Sequence, residues 1–197
     1  MEEQRSSKKS VLIIVLVLAA VIVAGIVGYN ALKGSSSSDV DALGGGGNTI
    51  STPRDAFSLA HLNSVVTDEE GNDFELVGIA GGKPLVVNFW ATWCPHCVEE
   101  MSDFQDAFDT YGDRVAFAML DATDGTRETV GKGSEYVREN GFTLPIYYDV
   151  YRNAVRDFGV TGFPSTAVFD ENGTVVYAQA GKMSRDQLFA LLENLAR

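Results

Sequence analysis

The sequence predicts an α/β domain with a mixed central sheet flanked by helices, and three observations carry that reading. Two continuous apolar runs, Leu85–Trp90 and residues 115–120, read as strands buried on both faces, as the inner strands of a parallel sheet are. Between them Phe104, Ala107, Phe108 and Tyr111 fall at i, i+3, i+4 and i+7, which marks a helix with one apolar face, stopped by Gly112. Downstream, Ser165–Phe169 and residues 174–177 flank Asn172-Gly173, the strongest short-range hairpin signal. The early strand–helix alternation implies parallel crossovers, and the last hairpin supplies antiparallel strands.

Before that domain the chain changes character. Residues 11–29 form a stretch of 19 residues without a charge, about 28 Å long as a helix and so close to the thickness of a bilayer core. It exceeds the usual apolar region of a cleaved signal, and Val23-Ala24-Gly25 and Tyr29-Asn30-Ala31 make poor cleavage sites. Arg5, Lys8 and Lys9 precede it while Lys33 follows alone, so residues 1–10 are expected in the cytoplasm and the rest outside. The expectation is a single-pass signal anchor in a bacterial cell membrane; secretion after signal cleavage is the alternative. Residues 30–49, rich in Gly and Ser, read as a flexible tether, and residues 50–197 as the folded domain. The net charge of −12 comes without a basic patch, which argues against nucleic acid as a partner.

Within the domain, residues 56–59 read as a short strand. Val65-Val66 and Phe74-Glu75-Leu76 flank a turn-rich hairpin tip at residues 68–73. Residues 121–133 carry three glycines and read as loop or weak helix, and residues 136–140 as a helix stopped by Gly141. Pro145 opens a short strand at Ile146–Tyr148. A helix is expected over 150–158, with Tyr151, Ala154, Val155 and Phe158 on one face. Ser184 and Gln187 form a capping box for a last helix that buries Leu188, Leu191, Leu192 and Leu195.

The chemistry concentrates in Trp93-Cys94-Pro95-His96-Cys97, which holds both cysteines of the chain. A strand leads in and a helix leads away, so Cys94 falls at a helix N-terminus, where unpaired N–H groups and the dipole favour a thiolate. Pro95 suits the first helical position, and Cys97 lies one turn on, close enough to close a short disulfide. The pair therefore reads as a reversible dithiol/disulfide. A zinc site needs about four ligands, and only His61 and His96 are at hand beside the cysteines. A covalent haem site needs His directly after the second cysteine, where Val98 stands. An inert staple is an alternative, although so small a loop constrains little of the unfolded chain. A peroxidatic centre of the form Pro-x-x-x-Thr/Ser-x-x-Cys is a further alternative. The position seven before Cys94 is Val87, and seven before Cys97 is Trp90, so neither fits. No cofactor beyond the redox-active disulfide is expected.

The block from Val87 to Met101, together with Gly162-Phe163-Pro164-Ser165-Thr166, resembles the membrane-anchored thioredoxin-like proteins of the TlpA/ResA/CcmG group, over about residues 56–197. The resemblance implies a thioredoxin fold with an added N-terminal β-hairpin and a helical insertion before the Ile146 strand. It implies that Cys94 is the nucleophile and Cys97 the resolving cysteine, and that Pro164 is a cis-proline beside the disulfide that pairs with substrate backbone. It matches Glu100 to an acidic residue near the dithiol, here a candidate proton acceptor for Cys97. Asn88 stands where cytoplasmic thioredoxins carry a buried Asp. Trp93 and Phe163 are expected to shape the substrate groove.

Two departures stand out. Ser102 follows Met101 where the group often has Pro, and Pro95-His96 is closer to the dipeptide of the oxidant DsbA than to that of the group's reductants. His96 is a candidate tuner of the thiolate, with Glu99, Glu100 and Asp103 acting against it. The expected activity is thiol–disulfide exchange with protein substrates through a mixed disulfide, in either direction, by a monomer served by a membrane electron-transfer partner. Cytochrome c maturation, thiol repair and oxidative folding all remain open as settings.

Overall fold

The computed structural model describes residues 64–197. The expected membrane span, the tether and the strand at 56–59 lie outside them. Among the described residues no helix is long and apolar enough to cross a membrane.

Seven strands form one mixed sheet. They are β1 (Val65–Thr67), β2 (Asp73–Glu75), β3 (Leu85–Trp90), β4 (Ala116–Asp121), β5 (Ile146–Tyr148), β6 (Ser165–Phe169) and β7 (Val175–Ala180). Five helices connect or flank them: α1 (Leu76–Ala80), α2 (Pro95–Tyr111), α3 (Val130–Glu139), α4 (Asn153–Asp157) and α5 (Arg185–Leu195). The strand order is β2-β1-β5-β4-β3-β6-β7. β3, β4 and β5 run parallel, whereas β1, β2, β6 and β7 pair antiparallel with their neighbours. This is a thioredoxin-like fold, with the β1–β2 hairpin added at one edge and α3 inserted before β5.

β3 lies at the centre, and all six of its residues are buried. Alternation sends Val86 and Trp90 into a core with Met101, Phe104 and Ala107 of α2 and Leu188 and Leu192 of α5. Leu85, Val87 and Phe89 face the opposite core, with Leu76 and Ala80 of α1 and Ala154 of α4. Asn88 therefore stands as a polar residue on the α2 side of the central strand, where its side chain needs buried partners. The parallel register Trp90↔Asp121 brings the ends of β3 and β4 level, so both strands deliver their C-terminal residues to the loop that carries the cysteines.

Several local expectations change. Leu76 opens helix α1 and does not continue the strand. The five-residue helix contains Gly78 and ends at Gly81 with φ 57°, too short for periodicity to announce it. The helix expected over 150–158 forms only at Asn153–Asp157, because Arg152 adopts φ 54° and breaks the register before it. Tyr151 is accordingly 57% exposed, not on a buried face. α3 begins at Val130, capped by Thr129, whose hydroxyl accepts from Lys132 N–H, well before the expected 136. In α5, Leu188 and Leu192 are buried while Leu191 and Leu195 are half-buried.

Candidate active site

Cys94 caps α2, and Pro95 occupies its first turn. The Cys94 sulfur accepts a hydrogen bond from Cys97 N–H at 3.3 Å, and the Cys94 carbonyl accepts from Cys97 and Val98 N–H at 3.1 Å each. The sequence order strand, turn, helix thus places a sulfur directly at the unpaired donors of a 17-residue helix. Cys94 and Cys97 form a disulfide with a Cα–Cα separation of 5.3 Å. Cys97 is fully buried, and Cys94 keeps 4% of its surface. An incoming reactant therefore meets Cys94 first.

The Phe163–Pro164 peptide is cis, as the resemblance implied. It closes the loop ahead of β6, where the Ser165 hydroxyl donates to Gly162 O at 2.8 Å and the Pro164 carbonyl accepts from Gly181 N–H at 2.8 Å. Phe163 meets Trp93 edge-to-face, with ring centroids 5.8 Å apart. Trp93 and Phe163 are thereby brought together beside the dithiol, and the Arg127 guanidinium lies 3.8 Å from the centre of the Trp93 ring.

Glu100 lies one turn beyond Cys97 on α2 and is fully buried. Asn88 Nδ2 donates to its Oε1 at 2.8 Å, and Met183 N–H donates to its Oε2 at 2.9 Å. Asn88 Nδ2 also donates to the Thr166 hydroxyl at 3.0 Å, which ties β3, β6 and α2 together beneath the disulfide. Burial pushes the Glu100 carboxyl up from 4.5 to about 7, against the pull of those donors. It is a carboxyl that changes charge near neutrality.

His96 faces solvent, with 69% of its side chain exposed, and Nδ1 lies 3.4 Å from Glu99 Oε2. The same Glu99 oxygen accepts from Lys182 Nζ at 3.0 Å; these two partners, Lys182 first, hold Glu99 below the usual carboxylate range. Arg185 reaches Asp103 at 3.3 Å and also binds Asp106 at 2.5 Å. Two of the carboxylates set against the thiolate at the sequence level are therefore already engaged by cations.

Sequence reasoning missed a third set of residues. Glu128, in the loop between β4 and α3, is fully buried, and its Oε2 accepts from both the N–H and the hydroxyl of Thr92, at 2.8 and 2.7 Å. Asp121 at the end of β4 is also fully buried. Burial, and then the Glu128 carboxylate, raise it to about 8. Nothing in the sequence distinguishes Glu128 from the exposed Asp124 four residues earlier. Lys182 and the Met183 N–H reach the site from the turn after β7, far away in sequence. Among the described residues, no three His, Cys, Asp or Glu side chains gather as a metal site would require.

With the geometry in place, the comparisons with known proteins are specific. The Redoxin family model matches residues 53–194. The thiol-disulfide oxidoreductase ResA of Bacillus thuringiensis (strain Al Hakam) is 31% identical over 134 residues, covering 68% of this chain and 75% of that protein. The sporulation thiol-disulfide oxidoreductase A of Bacillus subtilis is 23% identical, covering 60% of this chain and 71% of that protein. Among solved structures, MTB dsbF, in mixed oxidized and reduced forms, aligns with a TM-score of 0.61 and 29% identity, covering 69% of this chain and 97% of that one.

Proposed function

The chain belongs to the redoxin family and is a thiol-disulfide oxidoreductase; from that premise we propose that it works as a reductant of protein disulfides outside the cytoplasm, held at the membrane by residues 11–29. The observation that carries the direction is Glu100, fully buried one turn beyond Cys97 on α2. A carboxylate one turn from Cys97 makes a second buried negative charge costly, which destabilises thiolates and favours giving electrons away. The exposed His96, shared with Glu99, offers little to oppose it.

In this reading the Cys94 thiolate attacks one sulfur of a substrate disulfide aligned against the cis Phe163–Pro164 loop. The S–S bond breaks, the substrate's other sulfur leaves as a thiolate that takes up a proton, and a mixed disulfide to Cys94 remains. Glu100 accepts the Cys97 proton. The Cys97 thiolate then attacks the Cys94 sulfur, reforms the disulfide and expels the second substrate sulfur as a thiolate, which takes up the proton that Glu100 accepted. Two electrons pass to the substrate, and a membrane electron donor restores the dithiol. In the same reading residues 30–49 serve as the tether that lets the domain reach both.

The test is the reduction potential of the Cys94–Cys97 couple, equilibrated against dithiothreitol and glutathione buffers. A reductant should lie near −250 mV or below, toward the thioredoxin value of about −270 mV. A value near the DsbA figure of about −120 mV would overturn the direction and make Pro95-His96 the decisive feature.

A further inference from the structure

Glu128 belongs to no part of the exchange chemistry described above. It is fully buried, and one of its oxygens takes two short hydrogen bonds from Thr92, the residue two before Cys94. Next to it in sequence, Arg127 is exposed and lies over the Trp93 ring. Consecutive residues of one loop thus grip consecutive residues of another, Glu128 on Thr92 and Arg127 on Trp93.

The loop that does this is itself well fixed. Asp124 Oδ1 accepts from the N–H groups of Thr126 and Glu128, at 2.8 and 3.0 Å, and Glu128 O accepts from the N–H groups of Asp124 and Gly125. Asp121 stands behind Glu128, with its Oδ2 buried and unpartnered, as is Glu128 Oε1. A Cβ added to Gly133 would fall 2.1 Å from Asp121 Oδ2, so α3 is seated directly against that carboxyl.

We propose that Glu128 is a positioning residue for disulfide exchange: through Thr92 it fixes the turn that carries Trp93 and Cys94, and with Arg127 it holds Trp93 against Phe163 as a rigid wall of the groove that receives a substrate chain. A polypeptide that must lie along this wall to present its disulfide to Cys94 depends on the clamp. A small disulfide that approaches the Cys94 sulfur alone does not.

This rests on Cys94–Cys97 exchange, so the unaltered full-length protein is the control. Second-order rate constants for oxidation of the reduced protein would be measured with glutathione disulfide and with an unstructured peptide closed by one internal disulfide, on variants whose far-ultraviolet circular dichroism shows them folded. Glu128→Ala should slow the peptide reaction about tenfold, on the scale of one charged hydrogen bond, and the glutathione disulfide reaction by less than about threefold. Glu128→Gln keeps an oxygen for both Thr92 donors and should return the peptide rate to within about threefold of the unaltered protein. Unchanged rates in Glu128→Ala, equal losses on both substrates, or no recovery in Glu128→Gln would each overturn the proposal. If Glu128→Ala does not fold, Thr92→Val and Arg127→Gln carry the test. Each should lower the ratio of peptide to glutathione disulfide rates by about threefold, and unchanged ratios would overturn the proposal. Failure of the unaltered protein to exchange with either probe would instead remove the reading on which the clamp rests.

Discussion

Glu99 and Glu100 are neighbours in the first turns of α2, and their environments are opposite. Glu99 points to water with 53% of its side chain exposed, and Lys182 and His96 hold its charge in place. Glu100 points under the sheet with no exposure, and burial brings its proton affinity to about 7. A one-residue step along a helix turns a side chain through about 100°, enough here to exchange solvent for core. The lesson is that charge near a dithiol counts by burial and not by proximity in sequence. Exposed charges are screened and compensated, while a buried one is felt in full and can take up or give up a proton at working pH.

The largest expected effects lie at the sulfurs themselves. Cys94→Ser should reduce turnover to background, and Cys97→Ala should trap substrate on Cys94 as a mixed disulfide visible on non-reducing gels; turnover surviving in Cys97→Ala would contradict a resolving role. Next comes the carboxyl contrast. Glu100→Gln should slow resolution of the mixed disulfide by about 100-fold, the scale of a lost general base, and flatten its pH dependence around 7. Glu99→Gln should change the rate by less than about threefold, as expected for an exposed pair. Comparable losses in the two variants would break the comparison.

Stability sharpens it further. A carboxyl whose folded pKa is raised is most favourable while protonated, so its contribution is complete below about pH 4.5 and is lost as pH rises through about 7. For Glu100 this amounts to about 3 kcal/mol, measurable as a falling urea midpoint from acid to neutral pH that Glu100→Gln abolishes. Asp121 should extend the decline to about pH 8 in both proteins. The smallest effect belongs to His96. His96→Ala should move the reduction potential by only about 10 mV, because the side chain is exposed and bound to one carboxylate. A shift near 100 mV would give the exposed face the larger part after all.

Much of this architecture is legible in the sequence. The two apolar runs became β3 and β4, Asn172-Gly173 turned the β6–β7 hairpin with Gly173 at φ 77°, and Ser184 with Gln187 formed both halves of a capping box. These signals are local, so sequence spacing carries them. The cysteine pair was legible for the same reason, since strand, turn, proline and helix follow one another without a break. Pro164 was found by resemblance, because an X-Pro peptide carries no isomer signal of its own.

What escaped was set by distant contacts. Glu100 accepts from Met183, 83 residues away, and Glu128 holds Thr92, 36 residues away. A glycine-bearing stretch such as 121–133 reads as loop or weak helix, and only the fold shows Asp121 and Glu128 turned inward. The contrast between Glu99 and Glu100 was hidden in the residue pattern, because both follow the cysteines; only the resemblance singled out Glu100.

The central claim is that the carboxyl beneath Cys97 exchanges its proton near neutrality. The most direct test is the titration of the Glu100 side-chain carboxyl by carbon-13 NMR in the oxidised protein, assigned with Glu100→Gln. A midpoint near pH 7 is the expected result. A midpoint at the ordinary 4.5 would mean that Glu100 stays ionised through the neutral range, and would remove it as the proton acceptor for Cys97.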